Sequence, residues 1–190
     1  MNEQIISAAV DYIRTLFQGD SGGHDAGHTL RVYKNALRIA EGEGGADTEI
    51  VALAALLHDA DDHKLFQTEN NANARRFLTA QGLAPERIER ICAAVNAVSF
   101  SRNRGRRPET AEGRIVQDAD RLDALGAVGI ARTFAYGGAH GRTLESSVAH
   151  FHEKLLLLRD ELNTETARRM AGPRHDMLLR FLAEYESETG

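Results

Sequence analysis

The run Ile50–Leu57, "IVALAALL", is apolar on every side of the helix it would form. A helix without a polar face has no surface to offer water and must lie inside the molecule. Other elements must therefore wrap it, and the rest of the chain repeats the helical period of 3.6. Residues 3–17 place Ile5, Ile6, Ala9, Val10, Ile13 and Leu16/Phe17 on one stripe, which "GDSGG" ends. Asp25 is a natural N-cap for a second helix through "HTLRVYKNALRIAEGEGG". Asp47 or Thr48 caps a third, 49–60. A fourth covers 67–81 and stops at Gly82. Pro85 suits the first turn of a fifth, 85–98. After the loop "SFSRNRGRRPET" the spacing predicts one helix over 109–136. The loop "GGAHGRT" then leads to a long helix over 145–171, and Gly172–Pro173 separate that from a last one, 175–187. No strand pattern or internal repeat is present. The expectation is an all-α bundle of seven to nine helices forming a single domain, 1–190.

With 190 residues the chain can bury a sizeable core. Its net charge of −5 argues against wholesale binding to nucleic acid or an anionic membrane. The one cysteine, Cys92, rules out an internal disulfide and falls on a helix face, as a buried, reduced thiol would. The N-terminus lacks the charged and apolar regions of a signal peptide, and no apolar run reaches the roughly 18 residues of a membrane span. A cytoplasmic protein is expected.

Polar residues violate the apolar pattern in three places. His28 opens the second helix, His58 and Asp59 close the buried third, and Asp120 lies inside "RIVQDADRLDALGAVGIA". They are too far apart in sequence for local pairing, so any meeting is tertiary. Charged groups at the end of a buried helix are costly unless something pairs them. A divalent cation would answer that cost by neutralising the carboxylates. Mixed nitrogen and oxygen ligands suit Mn²⁺, Fe²⁺, Co²⁺, Zn²⁺ or Mg²⁺. Four protein ligands on an octahedral ion leave about two positions for water and substrate, and water on such an ion becomes acidic enough to serve as a hydroxide nucleophile. The competing reading is that each residue is satisfied separately.

The strings "HDAGHTLRV", "ALLHDADDHK" and "QDADRLDALGAVGIAR" resemble the H…HD…D signature of HD-domain metal-dependent phosphohydrolases. The resemblance extends over about residues 20–183, including "SFSRNRGRRPETAEGRIVQDADRLDA" and "LNTETARRMAGPRHDMLLRFL", and is to the small single-domain bacterial branch. Some members of that branch hydrolyse nucleoside triphosphates to monophosphates and pyrophosphate. The resemblance implies His28, His58, Asp59 and Asp120 as ligands of one divalent ion, Mn²⁺ or Mg²⁺ first, with Fe²⁺, Co²⁺, Zn²⁺ and Ni²⁺ as alternatives.

Neighbouring residues compete for these roles. His24 is four residues before His28, but Gly22, Gly23 and Gly27 argue against a continuous helix there, so His24 is read as a pocket-wall substrate contact. In a helix Asp118 points about 200° away from Asp120, and the resemblance selects Asp120. Asp123, three residues on, either orients a ligand or pairs with Arg121 or Arg132. His175-Asp176 begins a helix instead of ending a buried one and is set aside, as are His150 and His152, which fall on different helical faces.

A phosphorylated substrate also needs cations. Four arginines fall within Arg102–Arg107, a local excess in an acidic chain, and Arg forks match phosphate oxygens. Arg102, Arg104, Lys64 and Arg31 are the candidate phosphate contacts; for Arg31 a structural ion pair is equally compatible. Related alarmone hydrolases of the stringent response place an acidic pair just after the doublet. By that partial match Asp62 is the candidate general acid/base, while Asp61 faces solvent. The expected function is pyrophosphohydrolysis of nucleoside triphosphates. Alternatives are a nucleotidase or phosphodiesterase on the same site, a catalytically silent nucleotide-binding module, and RNA binding through the arginine loop, which the net charge opposes. Phe66, Phe100 and Tyr136 could stack on a base or belong to the core. The sequence leaves the oligomeric state open, with a homodimer through the C-terminal helices as one option, and no membrane partner is expected.

Overall fold

The computed structural model describes residues 1–18, 25–63, 65–99, 103 and 105–190. Among them are nine α-helices, one 3-10 turn and no strand, so the all-α expectation holds. The helices are α1 Glu3–Leu16, α2 Ala26–Glu43, α3 Thr48–Leu57, α4 Ala72–Ala80, α5 Pro85–Asn96, α6 Ala111–Asp123, α7 Gly126–Ala139, α8 Leu144–Glu153 and α9 Glu165–Thr189.

Local chemistry sets most helix starts. Asp25 Oδ1 accepts from the His28 amide at 2.6 Å, Asp47 Oδ1 accepts from Glu49 and Ile50, and Pro85 occupies the first turn of α5. Helix α3 is buried from Ile50 to Leu57, as its composition demands. It packs against α1, α2, α5 and α6, and α2 and α6 also pack on each other. The mutual packing of α2, α3 and α6 brings the start of α2, the end of α3 and the middle of α6 together. On the far side α7 packs with α8 and α9, and α9 crosses back onto α6 and α2.

Several boundaries differ from the sequence expectation, the first being α4, which begins at Ala72 instead of 67. The helix expected over 109–136 is two, α6 and α7. Gly126 sits at φ +73°, a left-handed conformation that breaks the helix. A Cβ there would approach Arg174 Cβ to 3.1 Å, so α9 passes close overhead. Arg174 itself donates to the Leu122 carbonyl at 2.6 Å, satisfying an end of α6 that the break leaves open. The helix expected over 145–171 is also divided. Helix α8 stops at Glu153, a 3-10 turn follows at Leu155–Leu157, and α9 begins after the Thr164 cap. Buried Asp118 causes the second start: its carboxylate accepts from the Asn163 and Thr164 amides and from Thr164 Oγ1, at 2.7–3.0 Å. Helix α9 then runs through Pro173 without ending. An interior proline removes one hydrogen bond at a cost of roughly 3 kcal/mol. Buried Ala167 and Ala171 before it and Leu178 and Leu182 after it hold both halves to the core. His175-Asp176 therefore lies in mid-helix and not at a helix start. No helix among the described residues is long and apolar enough to cross a membrane.

Candidate metal centre and its cavity

His28 stands in the first turn of α2, His58 and Asp59 in the turn that follows α3, and Asp120 in α6. Four atoms converge. His28 Nε2 is 3.3 Å from His58 Nε2, 3.5 Å from Asp59 Oδ2 and 3.4 Å from Asp120 Oδ1. His58 Nε2 lies 3.2 Å from Asp59 Oδ2 and 3.9 Å from Asp120 Oδ1. The ligand atoms of His28, His58 and Asp120 all fall within 4.8 Å of one another. That matches the span across an ion with bonds of roughly 2.1 Å, about 4.2 Å between opposite ligands.

The second nitrogen of each imidazole is committed. His58 Nδ1 donates to the Ala55 carbonyl at 2.9 Å, and His28 Nδ1 donates to Asp123 Oδ2 at 2.7 Å. Both Nε2 atoms therefore face each other and two carboxylates. Acceptors held this close repel unless a cation or a proton sits among them, so the donor set fits a divalent ion. Burial alone would push the His58 imidazolium down, but the charge and hydrogen bond of Asp59, with Asp120 and the Ala55 carbonyl, raise it to about 9. Burial pushes the Asp120 carboxyl up, and the adjacent His28 and His58 more than offset this and hold it below the ordinary range.

Asp123 is almost fully buried and resolves the two readings the sequence left open, because both hold. It accepts from His28 and also from Arg31 Nε at 2.7 Å, Arg31 Nη2 at 3.0 Å and Arg132 Nη1 at 2.6 Å. Burial raises its carboxyl, but the hydrogen bonds from His28 and Arg31 and the charge of Arg132 hold it far below the usual carboxylate range. Arg121 instead turns to Glu161, bonding its carbonyl and lying 3.2 Å from its carboxylate. Arg31 presents its fork to Asp123. Asp118 points away from the cluster, as helical geometry requires, and ties down the start of α9. Asp61 does not face solvent: its two oxygens accept from the Asn73 and Ala74 amides at 2.9 and 3.0 Å, capping α4, whose own N-cap residue Asn71 makes no side-chain cap. His24, Lys64, Arg102, Arg104 and Phe100 lie outside the described residues. Phe66 packs against the core beside Phe17.

The cluster opens into a cavity of about 450 Å³, within the range of small-molecule sites. Asp62 lies on its wall near the cluster. Another part of its lining comes from α7, the loop after it, α8 and the residue that follows α8, with Arg132, Tyr136, Arg142, His150 and Lys154. The His150 imidazole is pushed down, first by burial and then by the charges of Lys154 and Arg142, against the opposing charge of Glu153. Tyr136 is a wall residue, stacked on His140 at 3.8 Å with the Arg142 guanidinium 5.1 Å from its ring centre. Sequence reading does not single out Arg142, His150 and Lys154 as one surface. The only signal is a cation in the "GGAHGRT" loop; the other two look like ordinary polar positions of a surface helix.

Comparison with known proteins agrees with this geometry. The HD domain family matches residues 25–125. The Bacillus subtilis protein YpgQ is 41% identical over 186 residues, covering 93% of this chain and 90% of YpgQ. The crystal structure of YpgQ in complex with ADP superposes with a TM-score of 0.81 at 42% identity, covering 94% of this chain and 97% of that one. An HD-superfamily hydrolase from Bacillus thuringiensis superposes with a TM-score of 0.81 at 36% identity, over 98% and 97% of the two chains. Matched by the family over more than half its length, with the signature residues gathered at one cavity, the chain belongs to the HD domain family and is an HD-superfamily hydrolase.

Proposed function

We propose that this hydrolase is a divalent-metal phosphohydrolase that cleaves nucleoside triphosphates to monophosphates and pyrophosphate, with His28, His58, Asp59 and Asp120 as the ligands of one Mn²⁺ or Mg²⁺ ion. The observation that carries the reading is that one cavity joins the acceptor cluster to a wall bearing Arg132, Arg142 and Lys154. An acidic pole suited to a cation and a basic pole suited to anions are what a phosphoanhydride requires. The binding of ADP by YpgQ supports a nucleotide as the substrate.

A divalent ion bound at the cluster supplies Lewis acidity to a phosphoryl oxygen and lowers the pKa of water. The chain's own groups do the rest. The Arg132 and Arg142 forks and the Lys154 ammonium hold the two outer phosphates and stabilise the charge that builds on pyrophosphate as it leaves. Asp62, on the wall beside the cluster, takes the proton of the attacking water on a carboxylate oxygen. Asp123 keeps the His28 Nε2 lone pair aimed into the cluster by accepting from Nδ1.

The test is a panel of nucleoside mono-, di- and triphosphates with chelator-stripped protein, before and after addition of Mn²⁺, with products separated by anion exchange. Pyrophosphate and monophosphate from triphosphates, only with metal, is the expected result. Orthophosphate from monophosphates would replace this reading with a nucleotidase, and nucleotide binding without turnover would replace it with a silent binding module.

A further inference from the structure

Arg106 and Arg107, the described arginines of the loop after α5, do not line the metal cavity. They line a second cavity of about 270 Å³, together with Arg121 of α6, Arg168 of α9 and the Asp160–Asn163 segment that leads into α9. Arg121 lines both cavities, so the two meet at that side chain. The segment is tied down. Asp118 accepts from the Asn163 amide and side chain at 2.8–3.0 Å, Arg168 Nη2 donates to the Leu162 carbonyl at 2.8 Å, and Arg121 Nη1 donates to the Glu161 carbonyl. The loop is anchored on both sides of its two arginines. Asn103 Nδ2 donates to the Asn96 and Ser99 carbonyls at 2.9 and 3.1 Å, and Arg114 donates to the Pro108 and Glu109 carbonyls at 3.0 and 2.7 Å.

Charge is unbalanced in this cavity. The Glu161 carboxylate lies 3.2 Å from Arg121 Nη2 and offsets that guanidinium. Arg106, Arg107 and Arg168 then stand against Asp160 alone on the lining, an excess of two positive charges. Arg168 Nη1 reaches Glu165 only at 3.9 Å, with both side chains more than half exposed. The Arg106 and Arg107 guanidiniums make no hydrogen bond or ion pair among the described residues. Arg121 Nε, on a side chain 4% exposed, is buried with no hydrogen-bond partner, although nearly all buried donors in folded proteins have one. Arginine forks gathered on fixed backbone, with the positive charge in excess, match the oxygens of a tetrahedral dianion.

We propose that this cavity is a second anion site, outside the metal cavity, which takes a phosphate dianion on the forks of Arg106, Arg107 and Arg168. The dianion is either free phosphate or the phosphate of a small monoester. Binding here uses none of the residues of the metal cluster and stands apart from the functional reading above.

The experiment titrates the full chain, in chelator and at low salt, with inorganic phosphate and separately with ribose 5-phosphate. The readout is the amide chemical shifts of Gly105 and Asn163, which line this cavity and not the metal cavity. Saturating shifts at both amides are expected, and the tighter probe shows whether the phosphate is taken free or as an ester. R106Q/R107Q, which changes two exposed side chains, should weaken binding about 10-fold or more, the effect of losing charge-assisted hydrogen bonds. R142Q, on the metal cavity, should leave the dissociation constant within about 2-fold. Neither probe shifting these amides, or wild-type affinity in R106Q/R107Q, overturns the site. An equal loss in R142Q assigns the shifts to the metal cavity and overturns it as well.

Discussion

Metal binding to this cluster should be a proton-for-metal exchange with a steep pH dependence. In the metal-free chain His58 Nε2 is 3.2 Å from Asp59 Oδ2 and 3.9 Å from Asp120 Oδ1. These carboxylates outweigh the cost of burying an imidazolium and raise His58 to about 9. At pH 7 His58 then holds its proton, on the nitrogen whose lone pair a cation would need. A divalent ion needs the Nε2 lone pair and must displace that proton. The apparent dissociation constant scales as one plus the ratio of protonated to neutral His58. Between pH 8 and pH 6 the ratio rises enough to weaken Mn²⁺ binding about 90-fold, whereas a histidine at its ordinary value near 6.5 gives only about 4-fold. Calorimetry in buffers of different ionisation enthalpy reads the same event directly: about one proton released per Mn²⁺ at pH 7, against about a quarter of a proton for an ordinary histidine. Asp120 adds nothing over this range because its carboxyl is already held below its ordinary value. A change under about 5-fold between pH 8 and pH 6 would refute the argument that the cluster is held together by a proton when the metal is away.

The same raised value sets the stability of the metal-free protein. A histidine whose folded value exceeds its unfolded one stabilises the fold fully below about pH 6.5, and that contribution, about 3 kcal/mol, is lost as pH rises through 9. Thermal melts in chelator should fall over that window, and saturating Mn²⁺ should remove the trend. Asp118→Ala strips the acceptor from the Asn163 and Thr164 amides at the start of α9; a loss on the order of 3 kcal/mol and a melting temperature lower by about 10 °C are expected, and an unchanged melt contradicts the capping role. Arg142→Gln should raise KM for a nucleoside triphosphate about 10-fold or more with the melting temperature unchanged, since its charge faces the cavity; an unchanged KM removes Arg142 from the phosphate wall.

How much of this was legible in the sequence depended on whether the cause was local. The buried α3, the Asp25 cap and Pro85 at the start of α5 follow from periodicity and capping within a few residues, and all are in place. The break at Gly126 and the late start of α9 come from groups 40 residues or more away: Arg174 bonds Leu122, and Asp118 bonds Asn163 and Thr164. Periodicity has no access to such pairs, so it joined helices that tertiary contacts divide. It also split α9 at Pro173, where core packing on both sides overrides the local preference. The site divides in the same way. His28, His58, Asp59 and Asp120 stood out because charged groups interrupted apolar helices. Arg142, His150 and Lys154 did not, because polar residues on a short surface helix and at its ends look alike until folding turns them toward one cavity.

The most direct test of the account is anomalous diffraction from crystals of this chain grown with Mn²⁺. The account places one peak about 2.0–2.3 Å from His28 Nε2, His58 Nε2 and oxygens of Asp59 and Asp120. A fully loaded crystal with no peak there, or with the ion bound elsewhere, would contradict it.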